Sequence, residues 1–406
     1  MAFHPPVWLK GMTNATFGIS GGLVAITLPQ ILAEQHVPEA KIATMTAAAM
    51  SPLIGVFLLC PLLDVRFTRR WYAVLSASVA ACAVGAAVMN VHHLAVLESL
   101  LILAFAAAAI NQNALGGWLS TIIPQEDESK LSAWFNVANI AGGGLIAIVA
   151  MEILHRMPLP LAACLLGASL LLPVSIYPFL AVTLPDARLA SESFAQFFAE
   201  ILLLLKRRDV LLALALFLLP AASFTLTNIL GGVGGDFHAS VRLVSIAGGA
   251  GVAVAGIAGS LIYPLFARRM SLRPLYLTIG AVGAVFTLSL LLLPRTPAIF
   301  ACSLLGENIF QSLAITGSFA IAFETIGQNN PLAATTFSVL SAAFNLPVIY
   351  MAVVDGHAYT RRGLDGSYIA DAGLGLLCCA LLALLLRWAQ GRSKLQTSSR
   401  AELLMK

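Results

Sequence analysis

The chain has 406 residues, of which 59% are hydrophobic and only 10% charged, and its net charge is +4. An ordinary soluble domain carries about 25% charged residues, so this composition excludes a water-soluble globular protein and describes one threaded repeatedly through a membrane. The basic residues are scattered between apolar stretches, with no zinc-ligand spacing or stacking aromatics beside them, which excludes a nucleic-acid partner and leaves membrane lipid as the surroundings.

Twelve apolar stretches are each long enough to cross a hydrocarbon core of roughly 30 Å as a helix. They are predicted at 8–33, 42–63, 71–91, 94–119, 131–154 and 159–182, then at 210–230, 242–266, 274–293, 298–323, 332–354 and 367–387. The expected fold class is an all-α integral membrane protein with 12 transmembrane helices in two six-helix bundles. The first bundle takes residues 1–183, a linker 184–209, and the second bundle with its tail 210–406. In the linker, Phe194, Phe197, Phe198, Ile201 and Leu205 recur at three- and four-residue spacing opposite Ser191, Glu192 and Gln196, as in a helix lying on a membrane surface. The tail from Trp388 to Lys406 is polar and basic, and is expected to be poorly ordered.

Placing the amino terminus in the cytoplasm puts 17 of the 23 Lys and Arg residues inside and leaves Lys41, Arg156, Arg242, Arg295, Arg361 and Arg362 outside. That bias sets the orientation, with both termini cytoplasmic in a bacterial-type inner membrane. The first segment is longer than a signal-peptide core and lacks a small-residue cleavage site, so it is expected to be retained. Cys60, Cys82, Cys164, Cys302, Cys378 and Cys379 all fall inside apolar segments, where they act as small hydrophobes. Six of the seven histidines fall on outer loops or helix ends, without the spacing of metal ligands. There is no CxxC, HExxH, P-loop or GxSxG, so no catalytic residue, metal or cofactor is expected.

The decapeptide Pro61–Arg70 nearly recurs 203 residues later as Pro264–Arg273, and both copies close an apolar segment with a basic knot. Such internal repetition marks two similar halves. Twelve segments in a six-plus-six repeat resemble the major facilitator architecture. The stretch LLDVRFTRRW resembles that superfamily's loop between the second and third helices, which implies that Asp64, Arg66, Arg69 and Arg70 hold the cytoplasmic ends together in an outward-open state. The second copy carries Ala267 where Asp64 stands, so the lock is expected to be asymmetric.

PLLDVRFTRRW at 61–71, AFAAAAINQNALGGW at 104–118 and AATTFSVLSAAFNLPVIYMAVVDGHAYTRRGL at 333–364 are similar to the peptide and acetyl-coenzyme A transporter group. That group includes AmpG-type muropeptide permeases and single-component siderophore importers. The resemblance implies a monomeric secondary transporter importing a bulky polar or amphipathic solute with protons. Efflux of drugs or metabolites by the same fold, and a non-transporting receptor, are the alternatives. One departure stands out: the fourth helix of the group carries Gln-Asp and a further Asp, whereas here Gln112 is followed by Asn113 and the later position is occupied by Gly117 or its neighbour.

In this architecture the first, fourth, seventh and tenth helices line the central cavity. The expected cavity residues are Asn14 and Thr16 on the first, Asn111, Gln112 and Asn113 on the fourth, Asn228 on the seventh, and Asn308 and Gln311 on the tenth, with Asn136, Asn139 and Asn345 on neighbours. Amides both donate and accept hydrogen bonds, which suits a multifunctional solute. Glu307 lies nine residues into the tenth segment. An ionised carboxylate there costs several kcal/mol unless solvated or paired, which suits it to taking up and releasing a proton. Asp371, near the outer end of the last helix, is the second candidate for proton coupling.

Overall fold

The computed structural model describes residues 5–65, 67–181, 202–204, 206–328 and 330–404, with side chains to residue 388. Helix is the only regular structure among them, as a lipid core demands, because a helix satisfies every backbone group within its own segment. Ten stretches are long and apolar enough to cross a membrane. The first six are α1 (Val7–Glu34), α2 (Glu39–Leu58), α3 (Arg69–Met89), α4 (Leu94–Ile122), α5 (Gln125–Arg156) and α6 (Leu159–Phe179). After a shorter helix α7 (Arg208–Leu218) come α8 (Val241–Ala267), α9 (Leu272–Leu292) and α10 (Pro297–Ile326). The last stretch, Ala333–Leu404, is two helices broken at Arg362 and Gly363. Gly363 has a φ of 61°, a conformation open to glycine, and it separates α11 (333–361) from α12 (364–404). Among the described residues these make twelve helices, six in each half of the chain.

The ends of these helices follow local chemistry. Ser240 caps α8 by accepting from the Leu243 N–H at 3.2 Å. Thr296 does the same for Ile299 at 3.4 Å, with Pro297 in the first turn of α10.

Two elements differ from the sequence reading. The seventh segment, expected as one helix over 210–230, stops at Leu218 and resumes only for the single turn Thr227–Leu230. Pro220 ends it by removing a backbone donor, and Phe224 then takes a φ of 47°. The unwound stretch is seated on α9, where a Cβ on Gly280 would lie 2.0 Å from the Ala221 carbonyl oxygen. The second difference is the tail, which runs on as helix to Leu404 where disorder was expected; its Ala, Glu, Leu, Lys, Gln and Arg are good helix formers. Most of the linker, with its expected surface helix, lies outside the described residues, as does Arg66.

Within the first bundle α1 packs on α5 and α3 on α4 and α6; within the second, α8 packs on α10. Across the halves, α5 meets α8 and α10, and α4 meets α11. These cross-half seams are where the site lies.

Candidate functional site

The two halves are joined at the end of the molecule that carries the α2–α3 connection. Asp64, whose side chain is fully buried, pairs with Arg69 at 2.8 Å. It also accepts from the backbone N–H of Ala334 at 3.2 Å and of Thr335 at 2.7 Å, and from the Thr335 hydroxyl at 2.7 Å. The carboxylate thus caps the first turn of α11, whose unpaired N–H groups and positive dipole end favour an anion. Arg69 reaches across as well, donating to the Pro331 carbonyl at 2.8 Å. Arg70 follows it, half-buried, in the first turn of α3. A further tie runs from Gln328 to the Ile123 carbonyl at 3.0 Å.

Above this lock the seam is filled by four rings. Phe135 of α5 stands edge-on to Phe319, Phe323 and Phe337 at centroid distances of 5.1, 5.9 and 6.1 Å. Phe337 in turn stacks on Phe319 and Phe323. Beside them α4 and α11 approach so closely that a Cβ on Gly117 would lie 2.5 Å from the Ala334 Cα. Asn136 completes the closure by donating to Ser260 of α8 at 2.9 Å.

Beyond the plug the halves part around a cavity of about 1150 Å³, which reaches Gln30, Met151 and Ser245 towards the opposite end. Its walls come from α1, α4, α7, α10 and also from α2, α5, α8 and α11, a wider set than the four helices expected. The glycine-rich faces of α5 and α8 explain the difference, since backbone rather than bulky side chains stands there. Both α1 and α8 carry a π-helical turn beside the cavity, at Leu23–Thr27 and Ala247–Gly251. Such turns interrupt regular hydrogen bonding and are frequent at functional sites. Among the described residues no charged side chain lines the cavity; Phe17, Phe105, Phe217, Phe344 and aliphatic groups dominate.

Of the eleven residues expected in the cavity, Gln112, Asn139 and Asn345 line it. Gln112 brings a buried Nε2 with no hydrogen-bond partner among the described residues. Four others tie helices together: Asn14 donates to the Phe135 carbonyl at 3.0 Å, Thr16 to that of Leu170 at 3.0 Å and Asn111 to that of Ala73 at 2.7 Å, while Asn136 forms the bridge already described. Asn113 is buried outside the cavity wall. Asn308 turns back to its own helix, at 2.8 Å from the Leu304 carbonyl, and Asn228 is exposed. Gln311 holds the break in α7, donating to the Thr227 hydroxyl at 2.7 Å and to the Phe224 carbonyl at 3.4 Å. Ser245, Ser318, Ser341 and Gln30 line the cavity without having been singled out; Gln30, a lone amide near the end of an apolar run, was the one with a sequence signal.

Glu307 and Asp371 lie elsewhere, inside the second bundle. Glu307 is fully buried and accepts from Thr287 of α9 at 2.5 Å. Asp371 is also buried, against Ser223 in the unwound part of α7. A third acid that sequence reading missed, Asp355 of α11, is buried as well, with neither carboxylate oxygen hydrogen-bonded among the described residues. It sits one residue past the predicted end of the eleventh segment.

A two-bundle membrane protein with a cavity between its halves, shut at one end by contacts that must part for it to open there, is by class a secondary transporter. The chain belongs to the Major Facilitator Superfamily, whose sequence model matches residues 11–331. No curated protein sequence matches it. Among solved structures, it is similar to the Escherichia coli fucose:proton symporter FucP, with 14% identity, coverage of 94% of this chain and 98% of that one, and a TM-score of 0.69. A bacterial homologue of the iron transporter ferroportin, in an outward-facing state, aligns with 14% identity over 95% of this chain and 100% of its own, at a TM-score of 0.66. The proton:xylose symporter XylE gives 14% identity, 93% and 94% coverage, and a TM-score of 0.67. At such identities the likeness speaks for the fold.

Proposed function

We propose that the protein is a monomeric secondary active transporter working by alternating access, which imports a bulky amphipathic solute with protons across a bacterial inner membrane. The observation that carries this reading is the asymmetry of the seam: a cavity open on one side of a four-ring plug, and a buried ion pair capping a helix of the other half on the other side. Asp64, Arg69 and Arg70, with Arg66, form the cytoplasmic gate, and both termini lie on that side. The linker at 184–209 joins the two rocking units. Glu307 and Asp371 carry the coupling protons.

The resemblance supplies muropeptide-like sugar-peptides and siderophores as candidate solutes. An apolar cavity without charge supports neutral, amphipathic members of such classes, since a multiply charged solute would lose its hydration there without gaining a counter-ion. The same wall supports a second reading, efflux of an apolar drug or metabolite by the same fold. Thermal-shift screening of the purified protein with neutral siderophores, muropeptides and lipophilic cations is the first test, and counterflow of the stabilising compound in proteoliposomes the second. Binding without counterflow would replace the transporter with a receptor.

A further inference from the structure

The cavity does not keep to the inner faces of α5 and α8. It is lined on α5 by residues 139–141, 143–145 and 147–148, and on α8 by 252–254 and, in the π-helical turn, by 248–250. Three consecutive residues span about 200° of an α-helix, so this lining runs between the two helices towards their outer faces. Leu145, Ile148 and Val254 stand at its edge, 64, 70 and 68% exposed, where Phe105 on the enclosed wall is 2% exposed. On the other seam α2 and α11 each give one face, Met50 and Leu53 against Leu340, Ser341, Phe344 and Asn345. The gap between α5 and α8 follows from their small residues. A Cβ on Gly256 would lie 2.9 Å from the Ile140 Cδ1, and one turn further from the Asp64 end a Cβ on Gly144 would still lie 3.8 Å from the Ala253 Cβ. One more turn along this antiparallel register sets Ile148 opposite Gly249, where a Cβ on Gly249 or Gly248 would meet no atom within 4 Å.

The depth of this gap says what surrounds it. Ile148 lies one turn inward of Glu152, which pairs with the exposed Arg156 at 2.6 Å, and Ser245 lies one turn inward of the exposed Arg242. Charged side chains near helix ends reach to the headgroup level, so the gap below them faces hydrocarbon. We propose that it is a side entrance to the cavity from the leaflet opposite the Asp64 end, and that the solute is a chain-bearing amphipath with an uncharged head, already dissolved in the bilayer. This deepens the transporter reading, on which it rests, by naming the class of solute and its route. The apolar chain meets Leu145, Ile148 and Val254 at the edge. Beyond them the head meets Asn139 and the Gln112 Nε2, a buried donor without a partner among the described residues. An uncharged head that carries an acceptor satisfies that donor, whereas a charged one would exchange its hydration for a wall without a counter-ion.

Photolabelling of the full chain in liposomes, with a diacylglycerol that carries a diazirine at the end of one chain, tests the route without flux. Adducts are expected at Phe344 inside the cavity as well as at the exposed Leu377 of α12. Gly249→Trp fills the gap where an added side chain meets no neighbour, and is expected to abolish the Phe344 adducts while those at Leu377 remain. Maleimide labelling of Ser341→Cys from water, in a background without native cysteines, is expected to be unchanged by Gly249→Trp, since the end of the cavity stays open. Gly248→Trp takes its place if that labelling is lost. Adducts at Leu377 alone, or Phe344 adducts that survive both substitutions, would overturn the side entrance. Equal labelling of Phe344 by a phosphatidic acid with the same chain would overturn the uncharged head. Adducts in the cavity without counterflow remove transport and leave the entrance standing, whereas counterflow without such adducts removes only the entrance.

Discussion

Asp64 joins the two halves at one end, because one buried carboxylate serves a cation of its own half and the backbone of the other. Asp64→Asn keeps the shape but removes the charge that Arg69 and the α11 terminus share. Hydrogen bonds to charged groups are worth about 1.5–3 kcal/mol. A loss of about 2 kcal/mol from the closed state lowers its population relative to the open one by roughly 30-fold. Labelling of a reporter cysteine at Ser338, buried one turn further along α11, by a water-soluble maleimide is expected to rise accordingly. Thr335→Val deletes only the hydroxyl bond and is expected to cost about 1 kcal/mol by the same assay. The second copy of the decapeptide cannot repeat this contact, since Ala267 and Leu272 stand where Asp64 and Arg69 do. Its Arg273 turns instead to Asp209 of the same half, at 3.5 Å.

At the scale of elements, α4 and α11 close the gate by near backbone contact. Gly117→Ala places a methyl group where Ala334 Cα and N lie 2.5 Å away, and backbone cannot step aside as a side chain would. The expected result is a protein that folds but stays open at the Asp64 end, read as maleimide labelling that no longer depends on solute. Helix positions were legible in the sequence because apolar length decides them. The break in α7 was not, although Pro220 marks it, because a proline inside an apolar run is equally compatible with a kinked continuous helix. What decides is the α9 surface, where Gly280 leaves room for the unwound backbone at Ala221 and Gly283 for the Phe224 ring. The amides show the same limit. Asn14, Asn111 and Gln112 are alike in sequence, yet the first two face neighbouring carbonyls and the third a cavity, and only the packed partners set those directions. Asp64 was legible because an acid among three arginines at a membrane edge is hard to explain by topology alone; Asp355 was not, because it falls where the apolar run ends and looks like an ordinary loop acid.

For the whole molecule, the separation of two regions sets the chemistry. The cavity is uncharged, and the buried acids lie behind its wall in the second bundle. Neutral amphipathic solutes are therefore expected to raise the Tm in a thermal-shift screen while multiply charged ones leave it unchanged. Gln112→Ala or Asn345→Ala should weaken the binding of a stabilising compound by about 1 kcal/mol each, roughly fivefold in Kd. Glu307→Gln separates coupling from passage: solute counterflow is expected to persist in proteoliposomes, while accumulation driven by an imposed pH gradient is lost. Undiminished accumulation would remove Glu307 from the coupling path.

Alternating access itself is tested most directly by spin-label distances in a background lacking the six native cysteines. One pair, Gln30→Cys with Ser245→Cys, spans the open end of the cavity, and the other, Gln125→Cys with Met270→Cys, spans the Asp64 end. The expected result is that Asp64→Asn shortens the first distance and lengthens the second in the same fraction of molecules. Two distances that stay fixed, or that change independently of each other, would contradict alternating access and leave a rigid membrane protein with a binding pocket.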